Sequence, residues 1–194
     1  MSTETNRTIL NTIYNQHKAS IAYGLASVDP DAFYNAATRI VQAILTRKQI
    51  FTVGNGASAA IAQHWACDYT KGCSDLYIKP KVISLAANIP LMTAISNDID
   101  YKEVYSYQLQ RLAEEGDMLI SISSSGNSPN IVKAIEVAKE MGIETIALTG
   151  MHGGKCKELA DISLHVDLHE YEATEDVHQA LMHTIAKYIR TVTW

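Results

Sequence analysis

Two stretches of this sequence place acid–base and metal-ligating side chains at helical spacing. His64 and Asp68 are four residues apart, and Glu175, Gln179 and His183 follow one another at steps of four. Steps of four share one helical face. Each stretch therefore presents an imidazole beside a carboxylate. Such pairs hold a divalent ion such as zinc, or serve as acid and base, when two helices bring them to one cleft. Taken singly, such a pair is more often a surface ion pair or a histidine with its hydrogen bonds satisfied.

Two loops add oxygen-binding chemistry. Gly54-Asn55-Gly56-Ala57-Ser58-Ala59 formally matches G-x-G-x-x-A. A dinucleotide site also wants an acidic residue after the second strand. That region reads Leu85-Ala86-Ala87-Asn88, without a carboxylate. The wider reading is backbone amides and Ser58 facing an oxygen-rich ligand; a plain strand-to-helix turn is the other. The second loop is Ser121-Ile122-Ser123-Ser124-Ser125-Gly126-Asn127-Ser128-Pro129. Hydroxyls supply donors, Gly126 permits unusual backbone angles, and a helix start adds partial positive charge. Together they make a phosphate cradle that needs no Lys or Arg. Asn97-Asp98 is a further candidate, with its carboxylate at the sugar end of such a site. Trp65 reads as packing, and His165 and His169 receive no role.

The elements that position these residues follow from periodicity. Residues 5–25 predict an amphipathic helix with Ile9, Ile13, His17 and Ile21 in register. Asp29-Pro30 reads as the cap and first residue of a second helix, which runs through Ile44. Short β-branched runs at 49–53, 81–86, 118–123, 144–148 and 162–166 then predict strands. Helical stretches lie between and after them, at 58–70, 89–96, 101–114, 129–141, 154–160 and 173–192. Alternation of this kind predicts an α/β fold: a five-stranded parallel sheet with helices on both faces. Its ligands sit beyond the carboxyl ends of the strands. One domain is expected over 1–194, with 1–46 as N-terminal helices and 47–194 as the α/β core.

Composition narrows the function. The chain has 194 residues, 47% hydrophobic and 19% charged, with a net charge of −5. That balance supports a packed core and argues against nucleic acid as the main partner. Cys67, Cys73 and Cys156 make an odd count without CxxC, which fits a reducing cytoplasm. No uninterrupted apolar run reaches the length of a membrane span, and the first residues do not read as a secretory signal.

GNGASAAIAQHWACD (54–68) and LISISSSGNSPNIVKAIEVAKEMG (119–142) resemble the sugar isomerase (SIS) domain, and within it the phosphoheptose isomerases. LTGMHGGKCKELADISLHV (148–166) resembles the next strand-loop-strand unit of that family, and the similarity covers nearly the whole chain. The resemblance implies isomerisation of a phosphorylated sugar through an enediol. The expected substrate is sedoheptulose 7-phosphate, and no nucleotide cofactor is used. It places the substrate on Asn55, Ser58, Asn97, Asp98, Ser123, Ser124, Ser125 and Ser128. It also implies one zinc ion per subunit and a homotetramer with sites near subunit interfaces. His64 and His183 match the two histidines of the family's zinc site. The family's Glu is Asp68 here, and its Gln is Glu175. The expected metal set is thus His64, Asp68, Glu175 and His183, with Asp68, Glu175 and His183 in catalysis. Either carboxylate is available as the base. Two other readings stay open: a non-catalytic SIS module that binds a phosphosugar or a protein, and an isomerase of another sugar phosphate. The histidine pair argues for catalysis, because a pure binder has no need of it.

Overall fold

A computed structural model describes residues 3–72 and 78–191; Cys73 lies outside them. Two helices come first, α1 (Thr3–Ser27) and α2 (Pro30–Leu45). The Asp29 carboxylate caps α2 by accepting from the Asp31 N–H at 2.9 Å, with Pro30 at the first turn. There follow β1 (Gln49–Gly54), α3 (Ala57–Gly72), β2 (Lys81–Ser84) and α4 (Ile89–Asp98). A 3-10 turn at Tyr101–Glu103 leads to α5 (Ser106–Leu112), β3 (Met118–Ser123) and α6 (Pro129–Glu140). The chain closes with β4 (Glu144–Thr149), α7 (Gly154–Leu159), β5 (Ile162–His165) and α8 (Tyr171–Thr191).

The five strands are all parallel, in the order β2-β1-β3-β4-β5. Successive strand residues face opposite sides and fill two cores. Met118, Ile120 and Ile122 of β3 face α2, α3 and α8 with Ile40, Trp65 and Ile185. Phe51 and Leu119 face the other side with Leu109, Ile131 and Ile135. Strand order reverses between β1 and β3, and parallel sheets bind ligands in the crevice at such a switch point. Gly54 pairs with Ile122 there, so the loop after β1 lies beside the loop after β3.

Three expected elements differ. The β2 strand stops at Ser84 because the chain turns: the Ser84 side chain accepts from the Ala86 N–H, and its carbonyl from the Ala87 N–H. The helix expected over 101–114 is split, with a tight first turn capped by the Asp100 carboxylate and α5 restarting at Ser106. The predicted face of α1 is covered over only part of its length: Ile9 and Ile13 are exposed, whereas His17 pairs with Asp176 of α8 at 2.8 Å and Ile21 packs, half-buried, against the core.

Candidate functional site

Two clusters occupy the switch point and the groove beside it. The first is a cavity of about 200 Å³ lined by Asn55, Ser58, Ile122, Ser123, Ser124, Ser125, Ser128, Tyr171 and Glu175. Six of these are residues that the sequence pointed to for the substrate, and Glu175 joins them from α8. The Ser123 and Ser124 hydroxyls are buried and have no hydrogen-bond partner among the described residues. Buried hydroxyls are ordinarily paired, so these two are donors available to a ligand. Ser128 stands at the N-cap of α6 but makes no side-chain cap bond, which leaves its hydroxyl available and adds the α6 dipole to the cavity.

The cradle is held by backbone. Gly126 has φ +65°, and a Cβ there would come within 1.8 Å of the Gly153 carbonyl oxygen. Only glycine lets the serine loop pass so near the loop before α7. The Gly150 N–H donates to the Ser124 carbonyl at 3.0 Å, and the Cys156 N–H to the Gly126 carbonyl at 2.9 Å. The Asn127 carboxamide accepts from the Lys155 N–H at 3.1 Å, so this Asn braces the loop. Asn55 and Asn130 exchange amide hydrogen bonds of 2.8 Å across the switch point, and the Tyr101 hydroxyl donates to the Asn55 oxygen at 3.1 Å.

The second cluster lies where α3 meets α8. His64 Nε2 is 3.2 Å from Asp68 Oδ1, and His183 Nε2 is 3.7 Å from Asp68 Oδ2. The two imidazoles meet edge-on with ring centroids 5.0 Å apart. Gln179 lies between them, its amide nitrogen 2.9 Å from His64 Nδ1 and 2.9 Å from His183 Nε2. One ligand atom each from His64, Asp68 and His183 can be chosen so that all lie within 4.8 Å of one another. Two nitrogens and a carboxylate oxygen so close together match the donors of a zinc or similar divalent ion, and the set fits that group.

Glu175 is on the same stripe of α8 but lines the serine cavity instead. Burial, followed by the nearby Glu172 and Asp176 charges, raises its pKa above the ordinary carboxylate value. Asn97 and Asp98 are exposed at the end of α4 and hydrogen-bonded to each other at 2.7 Å, and they are not among the residues that line the cavity. His178, also on α8, is fully buried, and burial pushes its pKa down to about 4. The sequence reading placed Gln179 on the face of His183 without giving it a role, and left out Asn130, Tyr101 and Tyr171. Gln179 had a visible signal in its four-residue spacing from His183; the others had none, because their contacts join segments far apart in the chain.

Residues 14–150 match the sequence model of the SIS domain family. The chain is 36% identical over 173 residues to the phosphoheptose isomerase of Aliarcobacter butzleri, covering 89% of this chain and 91% of that protein. It is 38% identical over 153 residues to the probable phosphoheptose isomerase of Thermoplasma acidophilum, covering 79% and 84%. The structure of phosphoheptose isomerase GmhA from Neisseria gonorrhoeae superposes with a TM-score of 0.88 at 28% identity, covering 96% of this chain and 99% of that one.

Proposed function

Because this chain belongs to the SIS domain family and, within it, to the phosphoheptose isomerases, we propose that it interconverts sedoheptulose 7-phosphate and D-glycero-D-manno-heptose 7-phosphate. It is an aldose–ketose isomerase. The observation that carries this reading is a site with two chemically different ends on one helix. Glu175 lines the serine cavity and His183 belongs to the imidazole cluster. Their separation of eight positions corresponds to about 12 Å of α-helix. An extended sugar with phosphate at one end and its carbonyl at the other suits that spacing.

The serine hydroxyls and the start of α6 hold the phosphate, and this remote binding energy positions the reacting carbons. Asp68 removes a proton from C1 of the ketose while His183 gives a proton to the C2 oxygen, which forms the enediol. A proton returned to C2, with one lost from the C1 oxygen, gives the aldose. The change is redox-neutral overall, so no nucleotide cofactor enters. His64, Asp68 and His183 would hold a divalent ion, and a bound ion supplies charge stabilisation to the carbonyl oxygen as negative charge develops there. Holding an ion through Nε2 and giving a proton to the C2 oxygen compete for the same His183 imidazole, because Nε2 is the nitrogen that faces the cluster. Glu175, the other carboxylate, lines the phosphate end of the site about 12 Å along α8 from His183, so this reading gives the base to Asp68.

Purified protein incubated with a panel of ketose phosphates, with and without zinc, tests the activity; sedoheptulose 7-phosphate is expected to give the aldose. Saturable binding with no turnover of any member points instead to the binding-module reading. Asp68→Asn and Glu175→Gln are expected to differ sharply in kcat and little in phosphate affinity. Full activity in the double variant removes the carboxylate base altogether. The exposed Ile9, Leu10, Ile13 and Tyr14 on α1 support self-association, with a homotetramer as the expected state, which light scattering checks.

A further inference from the structure

We infer that Gln179, not Glu175, is the α8 carboxamide-position donor to the divalent ion, so that the donor set in this chain is His64, Asp68, Gln179 and His183. This rests on the reading that the imidazole cluster binds a metal. In the family pattern the Gln stands where this chain has Glu175. Here Glu175 is in the serine cavity, and the chain's own Gln is one turn further along α8. The Gln179 amide nitrogen is 2.9 Å from both His64 Nδ1 and His183 Nε2.

A carboxamide NH2 has two hydrogens and no lone pair to offer, so both ring nitrogens facing it present lone pairs. Two imidazole lone pairs therefore converge on one point of Gln179. Lone pairs aimed together are what a cation requires, and the amide occupies that point by donating to both. A half-turn about the last side-chain bond exchanges the amide nitrogen for its oxygen, two atoms that differ little in size. Gln179 and Asp68 both face His183 Nε2, at 2.9 and 3.7 Å, and flank the two nitrogens of the His64 ring, so a shift of that ring completes four donors, the number of a tetrahedral zinc site. Gln179 is half-buried on α8 and shares the stripe of His183, so packing on that helix holds it there.

Cobalt(II) titration of metal-stripped protein, read by its visible d–d absorption and by competition with a chromophoric chelator, tests this. Wild type is expected to bind one ion per chain. Gln179→Leu should weaken binding by at least about 10- to 100-fold, the range seen even for residues that only support a ligand, and should change the spectrum. Gln179→Glu places a carboxylate oxygen at the same point and should bind, which keeps the test open if Gln179→Leu fails to fold. Glu175→Gln should leave affinity and spectrum as in wild type. Wild-type affinity and spectrum in Gln179→Leu overturn the inference while the metal reading stands, as do lost binding in Gln179→Glu or weakened binding in Glu175→Gln. A wild-type protein that binds no cobalt overturns both.

Discussion

Ser124→Ala should change stability and ligand affinity in opposite directions. The Ser124 hydroxyl is buried, with the residue 5% exposed, and has no hydrogen-bond partner among the described residues. An unpaired buried hydroxyl costs about 1–3 kcal/mol. Alanine removes that cost and leaves a small void that takes back part of the gain. The net expectation is about 1 kcal/mol of added stability, or roughly 2–4 °C in Tm for a chain of this size. With phosphate bound the balance reverses. A hydrogen bond to a charged group is worth about 1.5–3 kcal/mol. Its loss weakens phosphate affinity by about 10- to 150-fold. Thermal unfolding of both proteins, with and without a ketose phosphate, reads both effects, since a ligand raises Tm according to its concentration relative to Kd. Wild type should start lower and rise further. A lower Tm in Ser124→Ala with unchanged phosphate affinity would refute the reasoning, because the hydroxyl would then be serving the fold.

Gly126→Ala places a Cβ where the backbone needs φ +65° and the Gly153 oxygen is 1.8 Å away. The left-handed conformation alone costs about 1–2 kcal/mol; calorimetry should show a fall in Tm and titration a loss of phosphate binding. His178 makes stability depend on acid. Its folded pKa is about 4 against an ordinary 6.5, so below pH 6.5 the unfolded chain takes up a proton that the folded chain refuses. Stability is full above pH 6.5 and falls as pH drops toward 4, by about 3 kcal/mol at most; urea unfolding at several pH values should show this, and His178→Phe should flatten it. Asn130→Ala breaks the amide pair with Asn55 that joins the two loops. Isothermal titration should show weaker phosphate binding.

Much of the sheet was legible because its strands are fully buried and read as apolar runs, as in Met118–Ser123, whose every residue is buried. The strand-end loops were legible for a related reason: Ser, Gly and Asn interrupt those runs where the backbone must turn. Spacing placed His64 with Asp68, and Gln179 with His183, because an α-helix fixes neighbours four residues apart. Spacing says nothing about how far one helix slides along another. That offset decides that Gln179 reaches both imidazoles while Glu175 reaches the serine cavity. The exposure of Ile9 and Ile13 was hidden for a similar reason: an apolar stripe states that a face seeks a partner, not whether the partner lies in the same chain.

The central claim is proton transfer between adjacent carbons of a phosphorylated ketose. Sedoheptulose 7-phosphate incubated with the enzyme in deuterium oxide and followed by NMR tests it most directly. The aldose 7-phosphate should appear with solvent deuterium at C2, because the enediol takes its proton from a side chain that exchanges with solvent. An unchanged ketose, or an aldose with no deuterium at C2, would contradict the account.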